Sequence, residues 1–340
     1  MQIIDLAIKL NHLNENKVTD VCSFISFFSS TYVRVNLNYH LDNPNNIKNK
    51  EFDDLLLTEN TLADLDHSYF FRTFTIDLNK INKRIINYMN KNGFSLIAKT
   101  DSLSNIEILK SFKGKIELIY EIDKKANLVD VYELVKSKGY KQSLRLKYKD
   151  DNNSSMINSK GIVEKYSDLF NHWLNDKEGL MLKNFEHFVD ASFGGSYKDC
   201  YNDACINKRY YLDENNDIYT CDKPCLKNYK YGNIKDFRNL KNIYESKIFS
   251  ELSGKLASKN NTCSACSCYK SCNGGCMSDS IKNAKDVNAL DNNYCTNYQE
   301  FLNYVKGVVD ELTKNRVSLK ELNPHFKEIL IDSLRMDIRL

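Results

Sequence analysis

The sequence predicts an α/β protein with a parallel sheet, followed by a cysteine-rich segment and closing helices. Three observations predict it. From about Phe70 to Trp173, β-branched and aromatic runs alternate with amphipathic stretches of ten or more residues, the rhythm of βαβ units. Ten of the 11 cysteines fall between Cys200 and Cys295. From Phe301 onward, apolar residues return to helical spacing. The same rhythm leaves an α+β domain with antiparallel pairs as the alternative.

Taken in order, Ile3–Leu13 has the apolar spacing of a helix, and Tyr32–Leu37 alternates like a half-buried strand. That strand could pair with an extended peptide, although a plain sheet position is the simpler reading. Asp42–Asn49 is a polar loop built on Pro44. Strands are predicted at Phe70–Ile76, Phe94–Lys99, Lys115–Ile122 and Ser143–Tyr148. Helices are predicted across Leu78–Asn90, Asp101–Phe112, Asn127–Lys138 and Gly161–Trp173, with Gly139 ending the third. After about Asp190, Cys, Gly, Asn and Tyr dominate. One hairpin is clear there: Asn207–Leu212, a turn at Asp213–Asn216, then Asp217–Thr220. Phe301–Leu312 and Pro324–Leu340 read as closing amphipathic helices.

Composition bounds the function. A chain of 340 residues, 42% hydrophobic, is sized for about two domains and a real core. Lys and Arg number 48 against 45 Asp and Glu, a net charge of +3, so no broad basic face for nucleic acid is implied. The apolar run Val21–Val35 is interrupted by Ser23, Ser26, Ser29, Ser30 and Thr31, and is too short to span a membrane. Asp5 falls where a secretion signal would be apolar. A cytoplasmic protein is expected, and in that compartment ten clustered cysteines argue for metal rather than disulfides.

The spacings are Cys205-x10-Asn216-x4-Cys221, then Cys263-x2-Cys266-x5-Cys272-x3-Cys276, then Cys295. Cys200 stands five positions before Cys205; Cys22, Cys225 and Cys268 are extra. A [4Fe–4S] centre needs four thiolates, and Cys-x2-Cys loops supply two at once. Gly274 and Gly275 let the backbone bend tightly between Cys272 and Cys276. Zinc is the rival, because Cys263-x2-Cys266 is half of a four-thiolate zinc site. On spacing alone both stay open, with chance or redox cysteines behind them.

This order, with "DIYTC", "YGNI" (Tyr231–Ile234) and "CNGGC" (Cys272–Cys276), resembles the SPASM domain of radical-SAM peptide maturases. The family has Gly where this chain has Asn216, a residue that tolerates positive φ. The resemblance implies a partial, degenerate (β/α) barrel followed by an α+β SPASM-type domain with two [4Fe–4S] clusters. It implies Cys200, Cys205, Cys221 and Cys276 for the first, and Cys263, Cys266, Cys272 and Cys295 for the second. The implied segments are 1–69, 70–192 (barrel), 193–300 (SPASM-like) and 301–340 (helices).

A radical-SAM enzyme needs Cys-x3-Cys-x2-Cys early in its barrel. Only Cys22 precedes Cys200, and Cys221-x3-Cys225 is followed by Asn228 where the third cysteine belongs. The expectation is therefore an accessory protein that does not itself cleave S-adenosylmethionine (SAM) and needs none. It would bind a precursor peptide, and an ATP-grasp ligase or radical-SAM enzyme, in making a ribosomally synthesised, modified peptide. The alternatives are an enzyme using an open-site cluster on a peptide or thiol, and a zinc-stapled interaction protein. Asp66–His67, Glu186–His187 and Gly194–Gly195 are minor candidates for acid–base or phosphate chemistry, each read more simply as structure. Trp173, Phe170, Phe185 and Phe188 are core by default.

Overall fold

The computed structural model describes residues 2–10, 15–28, 33–42, 44, 48, 50, 53–54, 56, 69–149, 156–195, 205–223, 227–284, 292–314 and 319–337. The chain divides into two compact units. The first is Met1–Thr100, Asn105–Ile116 and Ala204–Lys255; the second is Asp101–Ser104, Glu117–Asp203 and Leu256–Leu340.

In the first unit, β1 (Gln2–Lys9), β2 (Val33–Leu41), β3 (Tyr69–Asp77) and β4 (Ser95–Thr100) pair in parallel in chain order. Helix α1 (Glu15–Ser26) links β1 to β2, and α2 (Lys83–Lys91) links β3 to β4. On its other side β1 pairs in parallel with β8 (Arg209–Leu212), reached some 200 residues later. β9 (Asp217–Tyr219) and β10 (Lys230–Asn233) extend that side as antiparallel strands. The parallel reading is correct here, and β2 lies inside the sheet, with no free edge for an added peptide.

The expected helix at Ile3–Leu13 is instead strand β1. Ile4, Leu6, Ile8 and Leu10 alternate at period two and are buried at 0–2% exposure. Ala7 on the opposite face, and Ile3 in the sequence, supplied the misleading helical spacing. Asp101–Phe112 forms only a 3-10 turn at Ile106–Ser111, and Asn207 belongs to a short helix, Cys205–Lys208, before β8 begins.

Alternation sorts the strands into two faces. Val35, Leu37, Tyr39, Phe74, Ile76, Leu96 and Ala98 are buried on one, with Phe24, Ile25, Ile86 and Met89 of the crossover helices buried as well. Phe28 packs on Tyr210 with ring centres 4.6 Å apart, and Phe74 on Phe94 at 4.4 Å. The other face is polar, and parallel register aligns it in rows. One row is Arg209, Asp5, Asn36, Phe71; the next is Tyr211, Ala7, Asn38, Thr73, Ser95.

The second unit carries β5 (Ile116–Ile122), β6 (Ser143–Tyr148) and β7 (Met181–Leu182), parallel where paired. Its helices are α3 (Leu128–Ser137), α4 (Ile162–Leu174), α5 (Lys183–Ser192) and the long α11 (Asn292–Lys314). (Between α5 and α11 in sequence come α6 Cys205–Lys208 and α7 Leu240–Tyr244 of the first unit, then α8 Lys247–Cys263, α9 Tyr269–Cys272 and α10 Met277–Ala284.) An aromatic core joins α4, α5 and α11: Phe170, Phe185 and Phe301 are 0% exposed, with Phe170–Phe185 at 5.3 Å and Phe185–Phe301 at 5.6 Å. Trp173, also buried, donates its indole N–H to the Leu180 carbonyl at 2.8 Å. The core reading of these aromatics is correct. Among the described residues, no helix is long and apolar enough to cross a membrane.

Candidate functional site

The polar strand face of the first unit opens into a cavity of about 340 Å³. β1 contributes Asp5 and Ala7, β2 Arg34, Asn36 and Asn38, β3 Phe71 and Thr73, and β4 Ser95 and Ile97. Lys115, Arg209, Cys221 and Asp222 add polar groups, and Leu6, Leu37, Tyr210 and Thr220 line it as well. Asp5 accepts the Asn36 amide at 2.7 Å and an ion pair from Arg209 Nε at 3.5 Å. Asn38 accepts the Thr75 hydroxyl at 2.8 Å. Such polarity on an inner sheet face burns hydrophobic stability, and is the mark of a face kept for a ligand rather than for packing.

Asp222 is the electrostatic centre of this wall. Burial works against its charge, but Lys223, His40 and Lys99 outweigh that and hold its carboxyl down at about 2. It accepts a hydrogen bond from the Cys221 thiol at 3.3 Å, and His40 Nδ1 is 3.9 Å away. Burial holds His40 itself down at about 4, so the imidazole is neutral at pH 7. Asp222 and His40 were missed in the sequence. The one available signal was the position of Asp222 directly after Cys221.

The hairpin that delivers Cys221 depends on Asn216. Asn216 sits at φ 66, in the left-handed region where the resemblance expects Gly. Its side-chain oxygen accepts Lys17 Nζ at 2.6 Å, and its amide donates to Asp20 at 2.6 Å, tying the turn to α1.

The cysteine-rich segment groups four thiols in the second unit. Burial pushes Cys272 up to about 12, and the Cys266, Cys263 and Cys295 sulfurs lie near enough to add to that rise. Cys272 ends α9, and the next residues, Asn273, Gly274 and Gly275, all have positive φ, at 49°, 77° and 75°. A side chain on Gly275 would meet the Tyr294 ring at 3.0 Å, which explains that glycine. Among the described residues, no three His, Cys, Asp or Glu close on a point as a single-ion site. The four thiols are neighbours.

Of the other expected ligands, Cys276 is buried in the second unit, and Cys221 belongs to the first. Cys200 and the Cys205 side chain lie outside the described residues, as do Cys225, Asp66 and His67. Cys268 is buried beside Cys266, and Cys22 is buried in α1. His187 is no acid–base partner of Glu186. It shares a 2.5 Å hydrogen bond with the Tyr298 hydroxyl, and burial holds it down at about 3. Gly194 and Gly195 cap α5, where the Gly195 N–H bonds the Asp190 carbonyl at 3.0 Å.

No protein-family model matches the chain. It is 22% identical over 284 residues to a cysteine-type anaerobic sulfatase-maturating enzyme of Clostridium perfringens, covering 78% of this chain and 75% of that one. It superposes on native anSMEcpe with bound AdoMet and Kp18Cys peptide at TM-score 0.75 and 16% identity, over 92% of this chain and 99% of that one. Streptococcus suis SuiB follows at TM-score 0.55 and 14% identity, over 85% and 76%.

These relatives correct two expectations. The reading as an accessory protein that does not itself cleave SAM is overturned, because the curated relatives are enzymes. The expectation that no SAM is needed is overturned as well, because the solved structures sharing the fold hold AdoMet. Both expectations rested on one missing loop motif, whereas the likeness runs through nearly the whole chain. The α/β fold with its cysteine-rich segment is the expected one. By sequence and by fold, the chain is similar to anaerobic sulfatase-maturating enzymes, and its sequence lacks a Cys-x3-Cys-x2-Cys triplet.

Proposed function

We propose that the chain is a maturase-class enzyme that binds SAM and a peptide at the polar strand face of its first unit. The observation that carries this reading is the 92% overlap with a maturase solved with AdoMet and a peptide bound. The polar cavity of about 340 Å³ on the parallel strands supports it. SAM, when bound, supplies radical or methyl-transfer chemistry. The chain's own residues supply the setting. Asp222 keeps a fixed negative charge, able to face a cationic group. Asn36 and Asn38 offer amide groups from the strand floor. A ribosomally made peptide is the substrate class, and the cytoplasm the place of action.

The grouped thiols Cys263, Cys266, Cys272 and Cys295 fit an iron–sulfur cluster, which supplies electron transfer there. Cys200, Cys205, Cys221 and Cys276 are proposed for a second. The three-thiolate seat of a radical-SAM cluster is absent from the sequence in its usual spacing, so the assay reads both outcomes of SAM chemistry. The chain is reconstituted anaerobically with iron and sulfide, then given SAM, dithionite and a cysteine-containing peptide. The expected result is a peptide mass change together with 5′-deoxyadenosine or S-adenosylhomocysteine. Intact SAM and unchanged peptide over iron-loaded protein would overturn the enzymatic reading. A colourless, zinc-loaded chain would overturn the iron–sulfur part.

A further inference from the structure

The grouped cysteines of the second unit include one thiol more than a four-iron cluster takes. The loop that carries them is fixed by its own backbone. Cys266 N–H donates to the Cys263 carbonyl at 2.8 Å, and Tyr269 N–H donates to the Cys266 carbonyl at 3.0 Å. Cys268 precedes α9 as its cap. Its carbonyl accepts the Ser271 N–H at 3.0 Å, and the Cys272 N–H and the Ser271 hydroxyl at 2.9 Å each. The sulfurs therefore leave a pinned turn at set positions. Cys268 is 6% exposed, as buried as Cys263 and Cys272, while Cys266 is half-buried.

The Cys268 side chain keeps polar company. Its thiol shares a hydrogen bond with the Cys266 thiol, and the Lys306 ammonium of α11 is near enough to attract a thiolate there. The Ser267 hydroxyl lies 3.9 Å from its sulfur. Cys266 has a contact of its own on α11, where the Gln299 amide donates to its sulfur at 3.6 Å. Cys266 also neighbours Cys272, one of the other three grouped thiols. Two sulfurs thus stand at one corner of the group, where a [4Fe–4S] cluster takes one thiolate per iron.

We propose that Cys268 is an exchangeable ligand at this site, able to take the iron that Cys266 holds. The proposal rests on the reading of Cys263, Cys266, Cys272 and Cys295 as the ligands of one cluster. The exchange conserves atoms and charge. The Cys268 thiol gives up its proton and its sulfur bonds to iron. The bond between iron and the Cys266 sulfur breaks, and that sulfur takes the proton. No electron moves. Lys306 answers the charge of the incoming sulfur, and Gln299 holds the outgoing one. The site keeps four protein thiolates, while the half-buried Cys266 thiol is released and open to alkylation.

The test uses the full chain, reconstituted anaerobically with iron and sulfide, and its Cys263→Ala, Cys266→Ala, Cys268→Ala and Cys266→Ala/Cys268→Ala variants. Iron and sulfide are counted per chain, and the reduced proteins are compared by electron paramagnetic resonance. Cys266→Ala and Cys268→Ala are each expected to keep the wild-type iron, Cys266→Ala with a shifted spectrum. The double variant and Cys263→Ala should each lose about half of it. Cys266→Ala with half the iron overturns the exchange and leaves Cys268 as core packing. Cys268→Ala with half the iron overturns it too, since Cys268 is then a fixed ligand. Full iron in the double variant removes both sulfurs from the site and overturns it as well. A second measurement needs no substitution. Iodoacetamide is added to the loaded wild type, and the adducts are mapped by mass spectrometry. Alkylated Cys266 on a chain that keeps all its iron supports the exchange, whereas alkylation of Cys266 with loss of half the iron overturns it. A wild type that takes up no iron removes the cluster reading itself. Full wild-type iron beside a depleted Cys266→Ala variant removes the exchange alone.

Discussion

Lys17 and Asn216 are joined at 2.6 Å across 199 residues of sequence. The Lys17 ammonium also donates to the Asp213 carbonyl at 3.0 Å, so one buried cation holds both ends of the β8–β9 turn. Asn216→Ala loses both side-chain bonds while keeping a strained positive φ, and should cost about 2–3 kcal/mol. Asn216→Gly loses the bonds but relieves the backbone, and should cost about 1 kcal/mol less. Denaturant titration checks the order, and Gly as costly as Ala would show that the backbone contributes nothing.

Asn184 is the polar pin of the second unit. Its oxygen accepts the Leu146 N–H at 2.8 Å, while its amide donates to the Leu146 carbonyl and the Tyr166 hydroxyl, both at 3.0 Å. Asn184→Leu leaves these groups unpaired inside the protein, and should cost about 2–4 kcal/mol. Tyr166→Phe removes one partner only and should cost about 1 kcal/mol. Unfolding midpoints measured on both variants test the difference.

His187 makes stability depend on pH. Its folded pKa, about 3, lies below the ordinary value of 6.5, so the unfolded chain binds the proton more readily. Its contribution is whole above pH 6.5 and is lost as pH falls toward the folded value, at up to about 1.4 kcal/mol per unit. His187→Gln should flatten the stability profile between about pH 6 and 4 relative to the wild type. Parallel profiles for the two chains would refute this.

The cysteines should separate by role. Cys272→Ser should remove about half of the reconstituted iron, because it takes one of four thiolates from one of two clusters. Cys268→Ser and Cys22→Ser should leave the iron content unchanged. Iron and sulfide analysis on each purified variant decides it; full iron in Cys272→Ser would remove that residue from the ligand set.

The strand–helix rhythm after Phe70 was legible because burial on one face writes itself as alternation, as in Leu96, Ala98 and Thr100 of β4. β1 was misread because Ile3 and Ala7 add apolar residues to the run, and a short apolar run fits two periods at once. The cysteine spacing was legible because a loop that brings Cys263 and Cys266 together is local. The cavity was not. Asp5, Asn36, Phe71 and Arg209 become neighbours only through parallel register between strands far apart in sequence. No window of sequence contains that relation. The expectation of an accessory role failed for a similar reason, since one absent motif was weighed against a likeness that only the whole fold displays.

The pairing of β1 with β8 also carries a consequence for synthesis. A ribosome adding about 5–20 residues per second needs roughly 10–40 s to travel from one to the other. For that interval the amino-terminal strand has an open flank of unsatisfied amides and carbonyls, with Leu6 and Ile8 beside it. Newly made chains are therefore exposed to mispairing from their first strand onward. Slow growth temperature or a holding chaperone should raise the soluble yield more than any change in the finished protein.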